Sequence, residues 1–156
     1  MALTQDVHTV RFGTIGNGVQ PLSMPLGANV TVYAGSIALT DSSGNIKNAS
    51  SPASTDTCWG LIHDVAPFPP YPTSSVAGTY QVEIDTGAFY LNSGTGPDQL
   101  SQANVGDVVY VINETTVGAT NGSGTRPVAG VLLNVDLTIP YGYAVKLGNN
   151  QSSGSP

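Results

Sequence analysis

Apolar and polar residues alternate along this chain in short runs broken by glycine and proline, and the alternation has the two-residue period of strands. Tyr80–Asp85 is the cleanest run: Tyr80, Val82 and Ile84 fall on one face, and Gln81, Glu83 and Asp85 on the other. The same reading predicts strands at Asn29–Tyr33, with Val30 and Val32 on one face, and at Ser36–Thr40, with Ile37 and Leu39 inward. Further strands are predicted at Ile46–Ala49, Gly60–Val65, Ala88–Leu91, Val128–Val135 and Tyr143–Leu147. Asp41-Ser42-Ser43-Gly44-Asn45 is a turn cluster, so the runs on either side of it pair as a hairpin. Asp107–Ile112 is apolar at both alternations, which predicts a strand covered on two sides, either central or at an interface. Beyond the first twelve residues the longest stretch free of Gly and Pro is Asp107–Val117, about the ~11–12 residues of one mean helix. Asp98–Asn104 has room for a single helical turn. The expected fold class is all-β, a small barrel or sandwich of short strands.

Two segments resemble each other. Ala34-Gly35-Ser36-Ile37-Ala38-Leu39 matches Val105-Gly106-Asp107-Val108-Val109-Tyr110, and Gly60-Leu61-Ile62-His63-Asp64-Val65 matches Gly130-Val131-Leu132-Leu133-Asn134-Val135. The pattern reads as a duplicated strand–hairpin–strand unit, against chance likeness among glycine-punctuated strands. Neither copy buries its apolar face alone, so two copies are expected to close into one barrel. The chain then divides into an extended N-terminal arm (1–27), a single β domain (28–147) and a polar low-complexity tail (148–156) expected to be disordered. Within the domain, Pro67-Phe68-Pro69-Pro70-Tyr71-Pro72 fixes an extended loop. Its Phe68 and Tyr71 either form a stiff contact element, which loses little entropy on docking, or fold back onto the barrel.

Composition narrows the classes. Only 9% of the 156 residues are charged, against ~25% for an average soluble domain, and four Lys+Arg face ten Asp+Glu for a net charge of −6. Four basic residues do not build a phosphate-tracking surface, so nucleic acid is not an expected partner. No apolar run reaches the ~18 residues of a membrane span, so no membrane partner is expected either. A surface of Ser, Thr, Asn and Gly resists self-association poorly, which suits a protein that lives in an assembly or a secreted β domain. The one cysteine, Cys58, forms no intrachain disulfide, and residues 1–20 carry no signal-type apolar run because Asp6, His8 and Arg11 interrupt them. Synthesis and folding in a cytoplasm are the expectation.

Chemistry-bearing constellations are sparse. His8 and His63 do not make a metal site unaided, and no Gly-x-Ser-x-Gly elbow is present. Glu83 and Asp85 share a strand face at ~6.5–7 Å by strand rise, and read as a solvated face. Gly13–Gly18 is glycine-rich but lacks the lysine of a phosphate loop. Asp41–Asn45 serves a hairpin turn as well as it would serve a weak calcium site. No catalytic, cofactor or metal site is assigned, and the chain is not expected to be an enzyme.

Leu39–Leu91 carries a recognisable order: Leu39-Thr40-Asp41-Ser42-Ser43-Gly44-Asn45-Ile46-Lys47, then Cys58-Trp59-Gly60-Leu61-Ile62, Tyr80-Gln81-Val82-Glu83-Ile84 and Thr86-Gly87-Ala88-Phe89. This resembles the lambda-type head decoration (cement) proteins of tailed bacteriophages. Ala34-Gly35-Ser36 and Val105–Tyr110 look like the Gly-Asp-x-Val strands of related small phage capsid proteins, and the likeness spans Val30–Val135. The chain departs from that pattern in its length and its second copy of the unit. The resemblance implies a non-enzymatic virion component on the outer capsid surface, made in the host cytoplasm. It implies the major capsid protein as partner and a homo-oligomer, commonly a trimer. In such families an N-terminal arm pairs with capsid strands, which maps onto Met1–Phe12 here: Val7, Val10 and Phe12 supply burial, while Arg11 either pairs with a capsid carboxylate or is a plain surface charge. The alternatives are another phage structural part (minor head, fibre or tail) and a carbohydrate-binding β-sandwich using Trp59, Tyr71 and Tyr90.

Overall fold

The computed structural model describes residues 22–63 and 71–148. It is nearly all β. The strands are β1 (Leu22–Pro25), β2 (Ile37–Thr40), β3 (Ile46–Lys47), β4 (Thr57–Ile62), β5 (Gln81–Asp85), β6 (Gly87–Ser93), β7 (Val108–Val111), β8 (Thr116–Gly118), β9 (Val128–Val135) and β10 (Tyr143–Leu147). The expected helical turn is two short 3₁₀ turns, Gly96–Asp98 and Gln102–Asn104.

The strands form two five-stranded sheets, one in each half of the chain: β1-β5-β4-β2-β3, and a closed barrel β10-β6-β8-β7-β9. Read in their pairing registers, the two are the same unit. In the N-terminal sheet Ala38 faces Gly60 and Leu39 faces Cys58, with Trp59 bulged out between them. In the barrel Val109 faces Gly130 and Tyr110 faces Val128, with Ala129 bulged out at the matching place. Leu61↔Asp85 and Ile62↔Ile84 correspond to Val131↔Lys146 and Leu132↔Val145. Met24↔Val82 corresponds to Leu91↔Tyr143, and Thr40↔Ile46 to Val111↔Val117. The parallel β6–β8 pair that closes the barrel has its counterpart in a single parallel bridge, Leu26↔Ile46, which brings the first sheet round on itself. Each copy therefore returns on itself. The expectation that two copies share one barrel is corrected: the C-terminal copy closes into a barrel by itself, and the N-terminal copy is a separate sheet bent back by one bridge.

Glycine makes the bulge possible. A Cβ at Gly60 would lie 2.1 Å from the Asp85 carbonyl oxygen, and a Cβ at Gly130 would lie 1.9 Å from that of Lys146. Both strands pass so close to their neighbours that no side chain fits. The Asp41–Asn45 cluster forms the turn read from the sequence. Asp41 Oδ1 accepts the N–H groups of Ser43 at 2.9 Å and Asn45 at 3.1 Å, and Gly44 takes the left-handed conformation (φ 83°).

The two faces of β2 and β4 go to different cores. Ala38, Ile62, Val82, Ile84, Leu26, Ile46, Val32 and Tyr71 fill the N-terminal unit. Ile37, Leu39, Cys58 and Leu61 point the other way and join the core of the C-terminal barrel, with Phe89, Leu91, Val109, Leu132, Val145 and Leu147. Ile37 and Leu39 are thus buried, as expected, but on the outside of their own sheet. Burying each such aliphatic side chain stabilises by roughly 1.5–3 kcal/mol, so this contact ties the halves together strongly. A backbone bond from Ile37 N–H to the Glu114 carbonyl (2.7 Å) crosses the same contact. Thr86 alone separates β5 from β6.

Two expectations shift. Asn29–Tyr33 is not a strand. Asn29 sits in the left-handed region (φ 58°), and the Thr31 carbonyl accepts from the Asn48 side-chain amide at 2.8 Å rather than from a neighbouring strand. Val32 is buried all the same. The end of the expected arm, Leu22–Pro25, is strand β1, paired antiparallel with β5.

Candidate functional site

Four places bring chemistry-bearing side chains together. The first is the outer face of β4–β5. The ladder carries the His63 N–H to the Glu83 carbonyl at 2.9 Å, which sets the imidazole over the two outward carboxylates of β5. His63 Nδ1 lies 2.9 Å from Asp85 Oδ1 and 3.0 Å from Oδ2, and Nε2 lies 3.9 Å from Glu83 Oε2. An Asp that orients a His is half of a nucleophile-activating relay, but here the second ring nitrogen faces another carboxylate rather than a hydroxyl or thiol. The arrangement is a surface charge cluster. Among the described residues no group of three or more His, Cys, Asp and Glu is placed to hold a metal ion.

The second place is the loop side of the barrel. Asp98 Oδ1 accepts from Arg126 Nη1 at 2.7 Å and from Thr120 Oγ1 at 2.6 Å. Arg126 also donates to the Thr120 carbonyl at 3.2 Å. The hydrogen bond from Arg126, then that from Thr120, holds the Asp98 carboxyl below the usual carboxylate range. One of the few cations in the chain is therefore spent on pinning two loops.

Cys58 is the third. It is fully buried on the outer face of β4, against the barrel. Burial pushes its thiol up to about 12, while hydrogen bonds to the Gly60 and Gly148 backbone pull weakly the other way. A thiol held protonated and out of solvent is neither a nucleophile nor a metal ligand.

The fourth is a cleft of about 340 Å³ at the junction of the halves, lined by Leu22, Trp59, Thr86, Gly87, Lys146, Leu147 and Gly148. Trp59 is half-buried there, and its Nε1 donates to Thr40 Oγ1 at 2.8 Å. Thr86 and Lys146 are the polar side chains in an otherwise apolar lining.

The residues singled out from the sequence fall as follows. Val7, Val10, Arg11, Phe12 and Phe68 lie outside the described residues, as does the tail from 149 onward. Tyr71 is described, and it takes the second of its two expected places. It is 8% exposed, packs in the N-terminal core, and its hydroxyl donates to the His63 carbonyl and accepts from the Glu83 N–H, each at 3.4 Å. As a free docking aromatic it is corrected: the ring is used to cover Val82 and Ile84. With Tyr71 buried and Trp59 tied to Thr40, an aromatic sugar-stacking platform built on Trp59, Tyr71 and Tyr90 loses one member. The His63–Asp85 contact was not foreseen, because its partners lie 22 residues apart and meet only through the β4–β5 register. No family model, curated protein or solved structure matches this chain.

Proposed function

We propose that this protein is a non-enzymatic structural component of a tailed-phage head that binds the outside of the capsid and stabilises its lattice. The observation that carries this reading is the order of segments resembling the decoration proteins. Leu39–Lys47, Cys58–Ile62, Tyr80–Ile84 and Thr86–Phe89 contribute β2, β3, β4, β5 and the start of β6, and the same unit then follows a second time. A chain made of two compact β units joined through a shared core, with Ser/Thr/Asn/Gly loops and few charges, supports a role in which surfaces dock rather than react. The major capsid protein is the proposed partner, contacted by the N-terminal arm around Val7, Val10, Arg11 and Phe12 and by the Phe68 loop, with the outer surface of the virion as the location.

The mechanism is mass action. A protein that binds only the mature lattice stabilises it by RT ln(1 + [L]/Kd) per site, about 2.7 kcal/mol at a hundredfold excess over Kd. The test is co-sedimentation of purified protein with expanded capsids, followed by measurement of their disruption temperature. Saturable binding that raises this temperature is the expected result. Absence of binding, or binding that leaves the temperature unchanged, overturns the proposal.

A further inference from the structure

The cleft at the junction of the halves holds a cation that the rest of the molecule leaves unused. Of the few Lys and Arg residues in the chain, Lys47, Arg126 and Lys146 are described. Lys47 is paired with Asp56 at 2.9 Å, and Arg126 with Asp98 at 2.7 Å. Lys146 has no carboxylate partner among the described residues, and it lines the cleft. The repeat sharpens the contrast. Lys146 stands where Asp85 stands in the first unit, since Leu61↔Asp85 corresponds to Val131↔Lys146. Asp85 has His63 against it at 2.9 Å, whereas the residue that matches His63 in the second unit is Leu133. The second copy therefore reverses the charge and places nothing at the matching position to answer it.

The walls beside Lys146 are apolar and held in place. Leu22 and Leu147 contribute aliphatic surface, and Trp59 contributes an indole whose Nε1 is tied to Thr40 Oγ1 at 2.8 Å. A wall already fixed loses little entropy when a ligand packs on it. At Gly87 no side chain narrows the opening, and an added Cβ there would meet nothing within 4 Å. A volume of about 340 Å³ lies at the small end of ligand clefts, ~300–1,000 Å³. Charge and lining together select the occupant. The apolar walls suit a hydrocarbon body, the single cation matches a single negative charge, and Thr86 adds a hydroxyl donor to the same lining.

We propose that the junction cleft binds a free small monocarboxylate with an aliphatic body. The chain packs against Leu22, Trp59 and Leu147, and the carboxylate meets Lys146. The inference stands apart from the proposed role, because binding is read on the purified protein without capsid.

Trp59 is the one tryptophan of the chain, so its fluorescence reports the cleft directly. Titration of the full chain with butyrate, hexanoate and octanoate, each below its micelle concentration, is expected to give a saturable change, with affinity rising by up to about fourfold per methylene. Lys146→Met keeps most of the stem and removes the charge. With retained fold checked by circular dichroism, it is expected to weaken octanoate by roughly two- to fivefold, the worth of an exposed ion pair, and not to weaken 1-octanol. Nuclear magnetic resonance on wild type gives a second readout that needs no variant: the Trp59 indole and Lys146 side-chain signals are expected to shift along one saturation curve. Absence of a saturable change with octanoate overturns the proposal. So does a Lys146→Met protein that binds octanoate as wild type does or loses both ligands equally, or a Trp59 shift that leaves Lys146 unmoved.

Discussion

Replacing Gly60 or Gly130 by alanine adds one methyl group to a place where two strands nearly touch. The new Cβ would sit 2.1 Å from the Asp85 oxygen in one case and 1.9 Å from the Lys146 oxygen in the other. Carbon–oxygen approaches between neighbouring strands are ordinarily ~3.3–3.6 Å, so the backbones must part by roughly 1.2 and 1.4 Å. The obstacle is a carbonyl within a ladder and not a side chain that rotates away. Parting the strands lengthens adjacent ladder bonds beyond bonding distance at ~1 kcal/mol each, and it strains a packed core at ~1–3 kcal/mol. Each substitution is therefore expected to destabilise by about 3 kcal/mol, which for a chain of this size lowers Tm by roughly 6–12 °C. Urea titration and thermal melting followed by circular dichroism measure it. Gly44→Asn is the control. Gly44 is left-handed with nothing within 4 Å of an added Cβ, and asparagine tolerates that conformation, so a change of a few tenths of a kcal/mol is expected. If Gly60→Ala and Gly130→Ala both melt with wild type, the close approach is not a constraint and the structural equivalence of the two bulges loses its physical basis.

Cys58 is expected to resist a thiol-reactive dye in the native state, even at pH 8, and to react at once in denaturant. Its protonated, buried thiol offers almost no thiolate, so prompt native labelling contradicts the placement. Asp98 has its carboxyl held low by Arg126 and Thr120, so the stability it contributes is present above the unfolded value of ~3.9 and is lost as pH falls through the lower folded value. Asp98→Asn should reduce stability at pH 7 and flatten the acid side of the stability–pH curve; a curve parallel to wild type argues against the pairing. Tyr71→Phe gives up only two long hydrogen bonds and should cost less than ~1 kcal/mol, whereas Tyr71→Ala empties a core site and should cost ~3–5 kcal/mol by urea titration. Equal effects would mean that the ring does not pack as described.

How much of this was legible beforehand depends on the range of the interactions. Val128–Val135 and Tyr143–Leu147 match β9 and β10, because runs rich in valine and other apolar residues report strands directly. β1 was read as arm because Pro21 and Pro25 bracket only three residues, and β8 escaped because Thr116–Gly118 is too short to show a period. The repeat was visible in the spacing of Gly60 and Gly130, but not the fact that the second copy closes into its own barrel while the first is bent back by one bridge. That follows from the Leu26–Ile46 bridge and the β6–β8 pair, which join residues far apart in sequence. The facing of Ile37 and Leu39 was ambiguous for a related reason. Alternation shows that two residues share a side, while which side is the core depends on what packs there, and here both sides are cores. The His63–Asp85–Glu83 cluster rests on strand register alone, which a single sequence does not reveal.

The single residue Thr86 between β5 and β6 carries a mechanical consequence. With so short a tether and a shared core, the two units present their surfaces at a fixed separation and orientation. Under the proposed docking role, a protein built this way acts as a two-headed gauge. Where two docking positions match its spacing, the second contact forms at little further entropic cost, and where they do not match, the second head is denied altogether. A surface that changes its spacing as it matures would then be read by fit alone.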